Sequence, residues 1–226
     1  MPLIIAIDGP SGSGKSSTSR GVAQRLGLRY VDTGAMYRAI AWWMLENGVD
    51  VDDPQAVAEH CDRPDLRLET DPADPRIFVD GRDVSVNIRQ PDVAGAVSKV
   101  AAVAEVRTRL VQEQRAMVRE CLTGDVGVVM EGRDIGTVVL PDADLKVYLT
   151  ADAEARAQRR ALETGSGDAE QVISAAANLA DRDHRDSTRA ASPLQAASDA
   201  VHIDGTHLTL DQVIAAVIDL VPTEST

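Results

Sequence analysis

Gly9-Pro10-Ser11-Gly12-Ser13-Gly14-Lys15-Ser16 is the stretch that decides how this chain folds. It satisfies the pattern G-x-x-x-x-G-K-[ST] without a mismatch. An apolar run, Leu3–Ile7, precedes it, and a helical pattern from Lys15 to about Leu26, stopped by Gly27, follows. In that context the glycines let the backbone wrap closely, so that successive N–H groups and the positive helix end face phosphate oxygens. Gly9, Pro10, Ser11, Gly12, Ser13, Gly14, Lys15, Ser16 and Ser17 are therefore the expected triphosphate site. Lys15 would reach the β- and γ-phosphates and the Ser16 hydroxyl would hold Mg²⁺. The loop predicts nucleoside triphosphate binding. It does not say whether water or another molecule is the acceptor, because motors, GTPases and kinases all carry it.

Working outward, four more short apolar runs read as strands: Leu28–Val31, Gly127–Met130, Leu145–Leu149 and Val201–Ile203. Helical patterns separate them, so the expected fold is α/β with a five-stranded parallel sheet flanked by helices. Asp53-Pro54 reads as an N-cap and first helical position, and Thr209 with Gln212 as a capping box for a last helix. Asp92–Ala104 and Val106–Leu122 read as two further helices. Between about Pro64 and Val86 the texture changes. Leu66–Glu69 alternates and Ile77-Phe78-Val79 meets Val84 through Asp80-Gly81, which predicts a small antiparallel insert. Two polar helices around Gly165-Ser166-Gly167, which reads as a mobile joint, fill Asp152–Arg189.

Parallel sheets bind ligands at the carboxyl ends of their strands. Gly9, Asp32, Gly132 and Thr150 all fall there, which puts the unusual residues on one edge. Asp32-Thr33-Gly34-Ala35-Met36-Tyr37-Arg38 carries a hydroxyl and an arginine that could meet one anion; alternatively Thr33 is an N-cap and Arg38 is solvated. Glu131-Gly132-Arg133-Asp134 leaves a buried strand with three charges around a glycine. Arg156, Arg159 and Arg160 share one helix face, and Arg182, Arg185, Asp186 and Arg189 share another. Such stripes are ordinarily solvated faces. Two of them flanking a glycine joint instead suggest a lid closing guanidinium groups onto a phosphoryl group.

Composition bounds the partners. The 226 residues carry 36 acidic and 23 basic side chains, a net charge of −13, and only two Trp, three Tyr and one Phe. That charge disfavours long nucleic acids and anionic membrane surfaces, and six aromatic rings offer little base-stacking area. No apolar run approaches the ~20 residues of a membrane span. Met1–Asp8 lacks the pattern of a signal peptide, and Cys61 and Cys121 stand far apart. A cytoplasmic monomer is the expectation. Local fields in a cleft can oppose the global sign, so small phosphates remain compatible partners.

Four segments together resemble the bacterial cytidylate (CMP) kinases, a branch of the P-loop nucleoside monophosphate kinases: Ile7–Ser16, Asp32–Arg38, Glu131-Gly132-Arg133-Asp134-Ile135-Gly136-Thr137, and Asp183-His184-Arg185-Asp186-Ser187-Thr188-Arg189. The resemblance runs from about Leu3 to Val221. It implies one P-loop kinase domain, residues 1–226, with a CORE at about 1–60, 87–152 and 190–226. A monophosphate-binding insert would occupy about 61–86 and a short helical LID about 153–189. It implies transfer of the γ-phosphoryl group of ATP to CMP or dCMP with Mg²⁺. By the same resemblance Thr33, Arg38, Arg133 and Arg182 would hold the CMP phosphate, and Ser98, Arg107 and Asp134 would read cytosine. Asp186 would meet the sugar hydroxyls, Arg189 would lie at the acceptor site, and Arg156, Arg159 and Arg160 would meet the ATP phosphates. Lys15, Arg133, Arg156, Arg159, Arg160 and Arg182 would form the catalytic set. Position 131 is Glu where some relatives carry Asp, and Thr33 stands where some carry Ser, changes that keep the chemistry. The rivals are another small P-loop kinase, for UMP, AMP, shikimate or dephospho-coenzyme A, and a nucleotide-gated binding protein. No guanine-reading N-K-x-D string is present.

Overall fold

Each of the five apolar runs forms a strand, and every one lies parallel to its neighbours. The structure, a computed structural model, describes residues 2–165, 168–188 and 193–222. The strands are β1 (Ile4–Asp8), β2 (Arg29–Asp32), β6 (Val128–Gly132), β7 (Leu145–Thr150) and β8 (Val201–Asp204), in the order β2-β6-β1-β7-β8. Side chains alternate across this sheet. Ile5 and Ile7 of β1 pack with Val22 and Ala23 of α1 (Lys15–Leu26) and Val213, Ile214 and Val217 of α8 (Leu210–Asp219). Ala6, between them, faces the other way, into a cluster with Met130 and with Val118 of α5 (Ala104–Thr123). Burial on both faces is what turns these segments into near-continuous apolar runs.

The largest core cluster lies beside the sheet rather than on it. Met36, Ile40 and Met44 of α2 (Thr33–Glu46) pack there with Val57 of α3 (Pro54–His60), Val93 and Val97 of α4 (Pro91–Val100), and Leu110 of α5. A second sheet, antiparallel β3 (Leu66–Leu68), β4 (Ile77–Val79) and β5 (Arg82–Asp83), joins this cluster through Ile77 and Val79. The helices α6 (Ala153–Thr164) and α7 (Ala169–Thr188) pack on each other. The capping residues act as expected: Asp53 accepts from the Gln55 amide at the head of α3, and Thr209 and Gln212 cap α8 reciprocally.

Three differences from the sequence reading have physical reasons. Strands β1, β2, β6 and β7 run past their apolar stretches, to Asp8, Asp32, Gly132 and Thr150. Polar residues look like strand ends, but Glu131 pairs with Ile7 and Asp32, and Gly132 with Asp8, so the ladder continues. The helix expected over Asp92–Ala104 stops at Val100, and α5 starts at Ala104. No glycine or proline marks that break. It is made in three dimensions, where Val103 enters the core and the Ala101 carbonyl accepts from Arg107 Nη1 at 3.5 Å. A single π-helical turn, Ile135–Val139, follows β6 with no periodicity to announce it.

Candidate active site

The phosphate loop is shaped by close approaches that exclude side chains. At Gly9 (φ +151°) a Cβ would lie 2.1 Å from the Leu149 carbonyl oxygen, and at Gly12 (φ +75°) one would lie 3.2 Å from Arg156 Cβ. Gly14 caps α1 without any side-chain hydrogen bond, so no side chain of the cap covers the helix start. Lys15 is buried, with Nζ donating to the Pro10 carbonyl at 2.7 Å and to Ser13 Oγ at 3.4 Å. Burial, reinforced by the Arg133 charge, pushes its ammonium down to about 7 despite Glu131, Asp8 and Asp183 nearby. Ser16 is exposed at the mouth of the loop, near enough to the Glu131 carboxylate to oppose its raised pKa.

Glu131 lies between the two halves of the site. Its carboxylate is only 3% exposed and accepts from the Tyr30 hydroxyl at 2.5 Å. Burial raises its pKa and Asp32 adds to the rise, while Lys15, Tyr30 and Ser16 oppose it. The helix α2 begins beside it. Here the N-cap is Asp32, not Thr33: one Asp32 oxygen accepts from the Ala35 amide at 2.9 Å and the other from Arg38 Nη2 at 2.8 Å. Thr33 is buried and donates its hydroxyl proton to the Glu131 carbonyl at 2.7 Å.

Opposite, Asp134 and Arg107 form a buried ion pair, with side chains 7% and 5% exposed. The Arg107 guanidinium lies 5.5 Å from the Tyr37 ring centre, and Ser98 of α4 lines the same space. From the helical hairpin, Arg156 donates to the Ser11 carbonyl at 3.1 Å and pairs with Asp183, whose other oxygen accepts from the Ser11 amide at 3.1 Å. Arg159 reaches the carbonyls of Ser13 and Gly205, at 3.4 and 2.5 Å. Arg133 bridges the halves, donating to Ser11 Oγ at 2.7 Å and to Asp186 at 3.1 Å.

One cavity of about 700 Å³ holds the result, lined at one end by Gly12, Lys15 and Ser16 and at the other by Ser98, Arg107 and Asp134. Arg38, Arg133, Arg160 and Arg182 line it from four elements: α2, the turn after β6, α6 and α7. Desolvation, followed by repulsion from Arg133, pushes Arg182 down to about 10. Among the described residues the buried Nε atoms of Arg38, Arg107, Arg156 and Arg182 have no hydrogen-bond partner. Buried guanidinium N–H groups left unpaired are costly, and a bound oxyanion removes the cost. Such a cavity can hold two phosphate-bearing molecules at once and neutralise a phosphoryl group between them.

Nearly all the expected residues therefore meet in one place. Arg185 does not: it pairs with Asp181 at 2.8 Å on the exposed side of α7. Arg189, and Ser166 and Gly167 of the expected joint, lie outside the described residues. Sequence reasoning assigned no role to Asp8, Tyr30 or Asp183. The signals were faint: Asp8 abuts the phosphate loop, Tyr30 is one of only six aromatic residues, and Asp183 sits in the arginine-rich stretch.

Known proteins share this chain's pattern. The family profile for cytidylate kinase matches residues 5–223. The cytidylate kinase of Streptomyces avermitilis is 53% identical over 219 residues, 97% of this chain and 92% of its own length. That of Rhodococcus opacus is 50% identical over 224 residues, 99% and 96% of the two chains. A solved structure of an uncharacterized protein from Eubacterium ventriosum superposes with a TM-score of 0.52, covering 98% of both chains at 13% identity, a likeness of fold alone.

Proposed function

The chain belongs to the cytidylate kinase family, and from that premise we propose how its cleft transfers the γ-phosphoryl group of ATP to CMP or dCMP. The observation that carries the proposal is the convergence of four guanidinium groups and the phosphate loop on one cavity of about 700 Å³. The loop and Lys15 hold the ATP phosphates, with Arg156, Arg159 and Arg160 above them. Arg38, Arg133 and Arg182 hold the acceptor phosphate, while Asp186 lies toward the sugar. The CMP phosphate is already ionised near neutral pH, so its oxygen attacks without a strong general base. Catalysis is positioning plus charge neutralisation, and Arg133, which touches both the loop and the acceptor side, covers the moving group.

The Ser16 hydroxyl fits Mg²⁺, because it stands at the loop mouth beside a buried carboxylate, Glu131. Held there, Mg²⁺ would supply positive charge that offsets the negative charge of the ATP phosphates. Lys15, displaced from Pro10 and Ser13 toward the phosphates, regains its proton. Cytosine offers an N4 donor and N3 and O2 acceptors, which complement the Asp134 carboxylate and the Arg107 guanidinium. Uracil turns an acceptor toward Asp134 and is disfavoured. The division of labour follows the chain: α6 and α7 serve as LID, the segment about 61–86 as monophosphate-binding insert, and the rest as CORE.

An acceptor panel of CMP, dCMP, UMP, AMP and shikimate, read by coupled ADP release, tests this reading. CMP and dCMP are expected to turn over fastest. Equal rates with UMP or AMP would overturn the base-reading assignment.

A further inference from the structure

Asp134 occupies an unusual position for a residue that reads a substrate. It stands at the N-cap of the π-helical turn Ile135–Val139, where an aspartate ordinarily folds back to accept the first free amides of its own turn. Asp134 makes no such hydrogen bond. Its carboxylate is directed to Arg107 instead. The free amides are taken by another strand: Asp8 Oδ1 accepts from the Ile135 amide and Asp8 Oδ2 from the Gly136 amide, each at 2.8 Å. Asp8 is 4% exposed and ends β1, where it pairs in register with Gly132 of β6 and Tyr148 of β7.

We propose that Asp8 is a positioning residue: it caps the turn in place of Asp134 and so releases the Asp134 carboxylate to pair with Arg107 and read the acceptor base. This rests on the base-reading role given to Asp134 above. Both oxygens of Asp8 are needed, because two amides must be satisfied. No nearer cap is available, since the residue in the cap position is the one that must face the cleft. The same carboxylate directly precedes Gly9, so a single residue ties the strand that launches the phosphate loop to the turn that presents Asp134. Burial of a carboxylate at this junction is costly, and it pushes Asp8 up to about 6 even though the Gly136 and Ile135 amides pull the other way. Without Asp8, the turn's own aspartate is the only carboxylate adjacent in sequence to those amides, and it caps them at the expense of Arg107.

The decisive experiment compares kcat/KM for CMP and UMP in the wild type, Asp8→Asn, Asp134→Asn and the double variant. Asparagine keeps the shape of Asp8 but gives one amide a donor where it needs an acceptor. Asp8→Asn is expected to lower the CMP-to-UMP ratio roughly tenfold, the scale of one charged hydrogen bond. The fall should lie mainly in KM for CMP, with KM for ATP within about twofold, whereas a loosened fold would move both. In the Asp134→Asn background the Asp8 change should add almost nothing to the ratio, because it acts through Asp134. A ratio that falls in Asp134→Asn but not in Asp8→Asn overturns this inference alone. A ratio unmoved in Asp134→Asn overturns the base-reading role and this inference with it. If Asp8→Asn does not fold, the wild-type ratio is followed between pH 7.5 and 5.5, where the shared phosphate ionisation of the two acceptors cancels. The charged and titratable groups facing Asp8 are Asp134 on the turn, Lys15 on α1 and Tyr148 on β7. A ratio that falls severalfold as Asp8 takes up its proton supports the inference, and a flat ratio overturns it.

Discussion

The two ends of the cleft are built by different means. The phosphate loop is one unbroken segment, Gly9–Ser17, whose binding groups are mostly backbone amides fixed by glycine conformation and the start of α1. The proposed acceptor end is assembled from three separate elements, α2, the turn after β6 and α7, each contributing one long arginine, and the buried Asp134–Arg107 pair is its proposed base reader. A contiguous loop takes its binding groups from one short segment, although Asp183, Arg156, Arg159 and Arg133 brace it from elsewhere in the chain. A scattered guanidinium set depends on every element that brings an arginine in, and its like charges repel until an anion arrives. The lowered Arg182 pKa and the orphaned Nε atoms are the marks of that dependence.

The contrast can be broken most forcefully at Lys15. Lys15→Ala is expected to reduce kcat by about 10³-fold or more, on the scale of removing a preorganised cation from a phosphoryl transition state, with the melting temperature preserved. Near-normal turnover in an ADP-release assay would remove the loop from the chemistry. At the acceptor end, Arg182→Lys should lower kcat/KM for CMP by roughly 10- to 100-fold and leave KM for ATP nearly unchanged, because an ammonium cannot reproduce a guanidinium fork. If both KM values rise together, the two ends are not separable in the way described.

A smaller effect concerns protons. Lys15 sits with its pKa depressed to about 7, and bound phosphates are expected to return it toward the ordinary, higher value. Below pH 7 it is already charged and ATP affinity is pH-independent on its account; above pH 7 the proton must be taken up on binding, so affinity falls as pH rises. At pH 7.5 the enthalpy of MgATP binding should vary with the ionisation enthalpy of the buffer, reporting uptake of a fraction of a proton. Lys15→Arg, permanently charged, should show no uptake through this residue. The smallest effect should fall outside the cleft. Thr209→Ala removes the capping box of α8 and is expected to lower stability by about 1 kcal/mol, or roughly 2–4 °C, with kcat and both KM values unchanged. A kinetic change there would mean that α8, packed on α1, transmits its position to the loop.

How much of this was legible in the chain follows the same division. The five strands, the loop and the caps at Asp53 and Thr209 are local patterns, and each has its expected place in the fold. The strand ends were misread by a residue or two because Asp8, Asp32 and Glu131 are polar, and polar residues ordinarily leave a sheet. Asp8 stays because the distant Ile135 and Gly136 amides bind it, Glu131 because Tyr30 does, and Asp32 because Arg38, on the helix it caps, pairs with it. Arg185 shares a stripe with Arg182 yet turns to Asp181, a choice that helical spacing alone cannot make.

By itself the sequence determined the alternation of strands and helices, the triphosphate loop and the presence of surplus arginine in an acidic chain. Those features depend on periodicity, backbone freedom and charge within a few neighbouring residues. Only the tertiary structure decided that Asp32 rather than Thr33 caps α2, that Glu131 is held by Tyr30, and that Asp8 caps the turn which Asp134 begins. In each case a buried polar group, Thr33, Glu131 or Asp8, finds its partner on a distant segment of the chain. Burial makes leaving such a group unpaired costly, so its partner is selected by position in space rather than by position along the chain.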